Sequence, residues 1–217
     1  MRIVRASDQA FLVVSDDPVG VRTGAEVQRL HRALVRTPIP GQVDLHPAYA
    51  SLLVRFDALV GSAATVERAI RERLDVRGGE ADPPPRSIDI PVRYGGPDGP
   101  DLDAVARATG LTPEEVVTTH AGATYRVCFV GFSPGFPYLE GLPERLATPR
   151  HPSPRRRVPA GSIAIAGGQA GIYPLSTAGG WNVIGRTDLV LFDARSHPAA
   201  TLSPGDRIRF VPTGSHS

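Results

Sequence analysis

Three pieces of one stretch decide how this chain is read: CFVGFSPGFPYLEGLP over residues 128–143, PRHPSPRRRVPAGSIAIAGGQAGIYP over 149–174, and TAGGWNVIGRT over 177–187. Glycine and proline recur every few residues, and short apolar runs at 128–130, 163–166 and 183–184 interrupt them. Gly permits positive φ and close backbone approach, whereas Pro fixes φ and removes a donor, so the text specifies loops of fixed shape between short strands. The apolar runs and an isolated Trp181 among those loops exclude a disordered linker. From Tyr125 onward, short strands at 163–166, 189–192 and 207–211, with Pro204-Gly205-Asp206 as a turn, give the pattern of a compact β-barrel.

Upstream the pattern changes. Residues 10–15 (AFLVVS) read as a strand, and Thr23-Gly24-Ala25-Glu26 fits a capping box ahead of a helix whose Val27, Leu30 and Leu34 share one face. Strands follow at 43–45 and 50–56, a second helix at 62–74 carries Val66, Ile70 and Leu74 on one stripe, and a strand is expected at 88–92. The order β-α-β-β-α-β over residues 1–93 is that of a ferredoxin-like unit. Residues 78–87 (GGEADPPPRS) have linker composition, which places a boundary near 85 between an α+β domain (1–85) and a barrel domain (86–217). In the second domain a helix is expected at 102–108. A second begins at Thr112-Pro113-Glu114-Glu115, where Thr caps, Pro takes the first helical position and Glu115 completes the box; His120 ends it.

Composition narrows the chemistry. The 217 residues are 41% hydrophobic and 21% charged, ordinary for a globular protein. No apolar run approaches the roughly 18 residues that span a bilayer, and the first residues lack a secretory pattern, so a cytoplasmic protein with no membrane partner is expected. Cys128 has no second cysteine to pair with, and one Cys with six scattered His gives no zinc spacing, so no metal is expected. All 24 basic residues are arginine. This excludes a Schiff-base lysine and a phosphate loop ending in Gly-Lys-Ser/Thr. A formal charge of +2 gives no support for a nucleic-acid partner.

Several residues invite chemistry. Gly131-Phe132-Ser133-Pro134-Gly135 has the form of a G-x-S-x-G nucleophile elbow, but the residue after the serine must donate its amide to an oxyanion, and Pro134 has none. Ser133 therefore reads as a loop residue. Arg150, Arg155, Arg156 and Arg157 lie in a proline-broken stretch, read as a basic loop. Guanidinium matches a carboxylate or phosphate in two-point geometry. Two charged hydrogen bonds give about 3 to 6 kcal/mol, against about 4 for millimolar binding before ordering costs, so an arginine pair alone binds weakly. Gly167, Gly168 and Gly171 around Gln169 form either an anion-cradling loop of amides or a plain hairpin turn. Tyr173 and Trp181 each offer an apolar body with a polar tip, His120 is a weak catalytic candidate, and Cys128 reads as core.

Taken in order, GF-x-PGF-x-YL-x-GLP, PR followed by R-x-VPAGS, GGQ-x-GIYP and GGW-x-x-IGRT resemble the family of the 5-oxoprolinase B subunit (PxpB). That family includes the sporulation-kinase inhibitor KipI and is also labelled allophanate hydrolase subunit 1 (carboxyltransferase domain, subdomains C and D). The resemblance implies a ferredoxin-like domain followed by a cyclophilin-like barrel, in a non-autonomous subunit of an enzyme that opens 5-oxoproline to glutamate with ATP. It implies a homologous partner, the C subunit (PxpC or KipA-like, allophanate hydrolase subunit 2), and a further A subunit, with ATP bound mainly with or by these partners. Arg150 and Arg157 fall on its motifs and are expected, with Gln169, Tyr173, Trp181 and Arg186, to meet a small anionic substrate. Two departures stand out: Thr177-Ala178 where the family has Ser-Pro, and Ala170 where it has Thr, which removes a hydroxyl. Other expectations from the same resemblance are a KipI-like inhibitor of a sensor histidine kinase and a protein related to allophanate and urea amidolyase enzymes.

Overall fold

Burial that alternates along residues 51–56 sets up the first sheet of the computed structural model, which describes residues 1–17, 21–75 and 85–214. The chain divides into two units, Met1–Pro84 and Pro85–Ser217. In the first, β1 (Arg2–Ser7) and β2 (Ala10–Val14) form a hairpin, α1 (Val21–Arg36) follows, then the hairpin β3 (Gln42–Pro47) and β4 (Ser51–Phe56), then α2 (Ala63–Asp75). The sheet order is β1-β2-β4-β3, antiparallel throughout. Phe11 and Val13 of β2, with Leu52, Val54 and Phe56 of β4, meet Val27, Leu30 and Leu34 of α1 and Val66 and Ile70 of α2 in one core. Ser62 ends its turn by accepting the amide of Thr65 at 3.2 Å, which caps α2.

The order found is therefore β-β-α-β-β-α, which corrects the expected β-α-β-β-α-β arrangement of a ferredoxin-like unit. The fourth strand of the sheet is β1, whose sequence RIVRAS is almost wholly exposed and lacks the apolar alternation that marks a buried strand. Residues 88–92, expected to complete this sheet, belong to the barrel instead. Helix α1 starts at Val21, ahead of the capping box expected at Thr23, and Thr23 is buried in its first turn. The linker read at 78–87 lies mostly outside the described residues.

In the second unit, β5 (Ser87–Tyr94) leads into α3 (Leu102–Thr109) and α4 (Pro113–Ala121). The capping box of α4 is complete: Glu115 N–H donates to Thr112 Oγ1 at 3.2 Å and Thr112 N–H to Glu115 Oε2 at 2.8 Å. Next come β6 (Tyr125–Val130), β7 (Pro137–Glu140), β8 (Arg155–Val158), β9 (Ser162–Ala166), β10 (Gln169–Ile172), β11 (Thr177–Gly179), β12 (Asn182–Arg186) and β13 (Arg207–Pro212). Six of these and β5 close a barrel in the order β10-β7-β6-β13-β5-β12-β9, with β9 and β10 paired to seal it. Only β13 with β5 is parallel. Strands β8 and β11 form a separate ribbon. Residues 155–157 are thus a strand and not the loop expected of them. The strand expected at 189–192 is also absent: Leu191 is buried, but the segment makes a single bridge, Phe192 to Ala200.

Strand β9 explains how the barrel acquires a second apolar layer. Ile163 and Ile165 join the interior with Ile90, Val127, Leu139, Ile172, Ile184 and Phe210. On its other face Ala164 and Ala166 are buried with Phe136, Val158, Tyr173, Trp181 and Val183. Side chains alternate across a strand, so small alanines on the outer face leave room for aromatic rings against the barrel wall. Among the described residues no helix is long and apolar enough to cross a membrane, and no cluster of His, Cys, Asp or Glu is arranged to hold a metal ion.

Candidate functional site

The aromatic layer on the outer wall of the barrel encloses a cavity of about 390 Å³, lined by Phe132, Phe136, Tyr138, Arg150, His151, Pro154, Tyr173, Ala178, Gly179, Gly180 and Trp181. Phe136 is its centre, edge-on to Tyr138 at 5.0 Å, Tyr173 at 5.2 Å, Phe132 at 5.4 Å and Trp181 at 5.6 Å between ring centroids. Two glycines make that packing possible. A Cβ on Gly171 would sit 2.7 Å from Phe136 Cζ, and one on Gly179 would sit 2.2 Å from the Tyr173 hydroxyl. Phe132 stands at the rim, 62% exposed, and holds a left-handed backbone with φ of 69°. A non-glycine residue in that conformation stores strain, which clusters at ligand sites.

One wall is cationic. The Arg150 guanidinium carbon lies 5.6 Å from the centroid of Trp181, close enough for a cation–π contact that holds the charge over the cavity. Beside it His151 is fixed by its backbone N–H, which donates to the Gly180 carbonyl at 2.8 Å. Its Nε2 is buried 3.3 Å from Asp101 Oδ2, off the line of a well-formed hydrogen bond. Asp101 precedes α3, where an aspartate ordinarily accepts an amide of the first turn, yet its side chain makes no such cap. Its carboxylate instead accepts the Val183 N–H at 2.7 Å and the Arg155 guanidinium at 2.5 Å, while its own N–H donates to the Val183 carbonyl. Burial opposes ionisation of Asp101, but its contacts with Arg155, the Val183 amide and His151 outweigh it and hold the carboxyl below the usual range. Burial also raises the phenols of Tyr138 and Tyr173 above the ordinary tyrosine value, against the opposing influence of Arg150. Both stay protonated and able to donate.

A second cavity of about 190 Å³ is lined by Arg155, Arg157 and Arg186 with Asp98, Ser162 and Val183, among others. Arg157 Nε donates to Ser176 Oγ at 2.9 Å, and Arg186 Nε donates to the Ala160 carbonyl at 3.1 Å. The six residues expected at one substrate site are thus distributed. Arg150, Tyr173 and Trp181 share the aromatic cavity, and Arg157 and Arg186 line the smaller one. Gln169 is in neither: it pairs with Ala166 across the β9–β10 hairpin, whose turn is Gly167 and Gly168, with φ of 55° at Gly167. The turn has the geometry of a two-residue hairpin, and Gly171 is buried in β10 against Phe136. Ala170 points into the barrel core, so the hydroxyl it lacks would not have met a ligand; Ala178 does line the larger cavity.

The candidate catalytic residue His120 lines neither cavity. It is fully buried, with its ring 4.6 Å from Phe210 and 5.2 Å from Tyr125, and Nδ1 lies 2.8 Å from the Tyr94 hydroxyl. Burial pushes its pKa down to about 3, so it is a neutral core group. Cys128 is core as expected, its thiol pushed up to about 12 by burial and by Glu140. Behind Ser133 the chain enters β7 at Pro137 with no helix, and the serine lines neither cavity. Sequence reasoning missed His151 and Asp101. The adjacency of His151 to Arg150 was a usable signal for the first; nothing local marked the second.

Residues 1–202 match the family model described as the carboxyltransferase domain, subdomain C and D. The 5-oxoprolinase B subunit of Bacillus subtilis (strain 168) is 37% identical over 220 residues, covering 97% of this chain and 92% of that protein. The protein of the same name in Escherichia coli O157:H7 is 41% identical over 208 residues, covering 94% and 93%. Among solved structures, TTHA0988 superposes with a TM-score of 0.84 at 37% identity, over 95% of this chain and 40% of that one. The conserved uncharacterized protein PH0987 from Pyrococcus horikoshii matches with a TM-score of 0.58 at 40% identity, over 99% of this chain and 98% of that one. The K. lactis urea amidolyase shares the fold at 18% identity, with a TM-score of 0.77 over 97% of this chain and 15% of that one.

Proposed function

The chain belongs to the family of the carboxyltransferase domain, subdomains C and D, and from that premise we propose that it is the B subunit of an ATP-dependent 5-oxoprolinase, whose aromatic cavity receives the substrate ring. The named relatives, at 37% and 41% identity over nearly their whole length, support the subunit role. The observation that carries the site is the pairing of Arg150 with a cavity walled by Phe136, Tyr138, Tyr173 and Trp181. A five-membered lactam carboxylate needs flat apolar walls for the ring, one fixed cation for the carboxylate and donors for the carbonyl. Those groups are the walls, Arg150 and the protonated Tyr138 and Tyr173.

A volume of about 390 Å³ falls in the range of small-molecule sites. One guanidinium contributes about 1.5 to 3 kcal/mol, short of the roughly 4 that millimolar binding needs, so affinity calls for further contacts from a homologous C subunit. ATP is assigned mainly to partner proteins, since the chain has no lysine for a phosphate loop. The arginines of the smaller cavity are a donor set suited to an anion at the boundary between two subunits. The test is co-expression with the C and A subunits and an assay of ATP-dependent glutamate release from 5-oxoproline. Turnover by the complex is expected; a stable complex without turnover contradicts the reading.

A further inference from the structure

We propose that His151 is the proton-transferring residue of the aromatic cavity and that Asp101 is its positioning residue, an inference that rests on the cavity being the site of a cyclic amide. Elimination within the lining comes first. Burial holds Tyr138 and Tyr173 protonated, a guanidinium such as that of Arg150 has no lone pair to accept a proton, and the remaining lining residues are apolar or lack a titratable group. His151 is then the side chain of that wall whose ring offers one nitrogen to donate and one to accept a proton.

The contact with Asp101 favours one tautomer. Nε2 is buried 3.3 Å from Asp101 Oδ2. A carboxylate only accepts, so a hydrogen on Nε2 completes this contact and leaves the lone pair on Nδ1 to take a proton. Asp101 is itself held at three points, by the Val183 N–H, by Arg155 and by its own N–H to Val183. It has given up its place as a helix cap to stand there.

The step balances in atoms and charge with water as its only co-reactant. A water hydrogen-bonded to Nδ1 attacks the ring carbonyl carbon. Its O–H bond breaks with the proton on Nδ1, the new C–O bond forms, and the π pair moves to the carbonyl oxygen. Return of that pair breaks the ring C–N bond as Nδ1 passes the proton to the departing nitrogen. The histidine ends neutral and one water is consumed.

Two experiments test this. In the complex with the C and A subunits, His151→Gln lowers kcat for 5-oxoproline by about 100-fold or more, with KM held within about threefold, and His151→Ala regains activity on addition of imidazole. If the wild-type complex turns over while His151→Gln keeps kcat within about tenfold, the proton-transfer role is overturned and the proposed function stands. If the wild-type complex does not turn over, both fall. Independently of turnover, long-range ¹H–¹⁵N NMR of the full chain, with the signal assigned by loss in His151→Gln, shows the Nε2–H tautomer at His151. Asp101→Asn, whose amide donates toward Nε2, converts it to Nδ1–H. An Nδ1–H form in the wild-type chain overturns the role of Asp101.

Discussion

Acid destabilises the barrel unit through His120, and the effect is large enough to measure. In the folded protein this imidazole is fully buried among Tyr94, Tyr125 and Phe210, its Nε2 has no hydrogen-bond partner among the described residues, and burial lowers its pKa from 6.5 to about 3. In the unfolded chain it takes up a proton near pH 6.5. Between those values the unfolded state binds a proton that the folded state does not, so stability falls as pH falls, approaching about 1.4 kcal/mol per pH unit. From pH 6.5 to 4.5 the loss is about 2 kcal/mol, a sizeable part of the roughly 5 to 15 that holds a typical domain together. Trp181 is the only tryptophan and lies in the same unit, so urea unfolding followed by its fluorescence reads that unit. Carboxylates held below their usual range, such as Asp101 and Asp188, withdraw their contribution only below about pH 4. His31, also lowered by burial and by Arg32, lies in the other unit. Subtracting a His120→Asn variant isolates the term: it is less stable at pH 7 but loses about 2 kcal/mol less on going to pH 4.5. Equal losses in the two proteins refute the reasoning.

Gly179→Ala places a Cβ against the Tyr173 hydroxyl. Such overpacking costs about 1 to 3 kcal/mol and shifts a cavity wall, so a lower urea midpoint is expected with a raised KM for 5-oxoproline in the complex; an unchanged midpoint and KM contradict the packing described. Ser133→Ala is expected to leave turnover of the complex within about twofold, because its loop supplies no amide at Pro134 for an oxyanion. A fall of a hundredfold would make Ser133 a nucleophile.

The barrel was largely readable because its strands are short apolar runs between Gly and Pro turns, and because Thr112-Pro113-Glu114-Glu115 is a complete capping signal. What was misread has physical causes. RIVRAS pairs as an exposed edge strand, so its backbone and not its side chains makes it a strand. Residues 189–192 are apolar because Leu191 is buried, without a ladder to join. The arginines 155–157 gain a partner only when β11 returns from residue 177 onward. At the site, Arg150, Tyr173 and Trp181 were visible as motif residues, since each occupies a shaped loop or strand end. That Arg157 and Arg186 line a different cavity depends on the ribbon and on β12, which no spacing encodes. Asp101 meets His151 only because α3 starts against β12, and fifty residues of chain hide that contact from any local pattern.

The central claim is that the cavity beneath Trp181 is where 5-oxoproline binds. Steady-state kinetics of the assembled complex, with Arg150→Ala set against Gln169→Ala, test it most directly. Losing one charged contact of about 1.5 to 3 kcal/mol raises KM by about 10- to 150-fold for Arg150→Ala. Gln169→Ala, at a hairpin outside both cavities, leaves KM within about twofold. A raised KM for Gln169→Ala with none for Arg150→Ala would contradict the account.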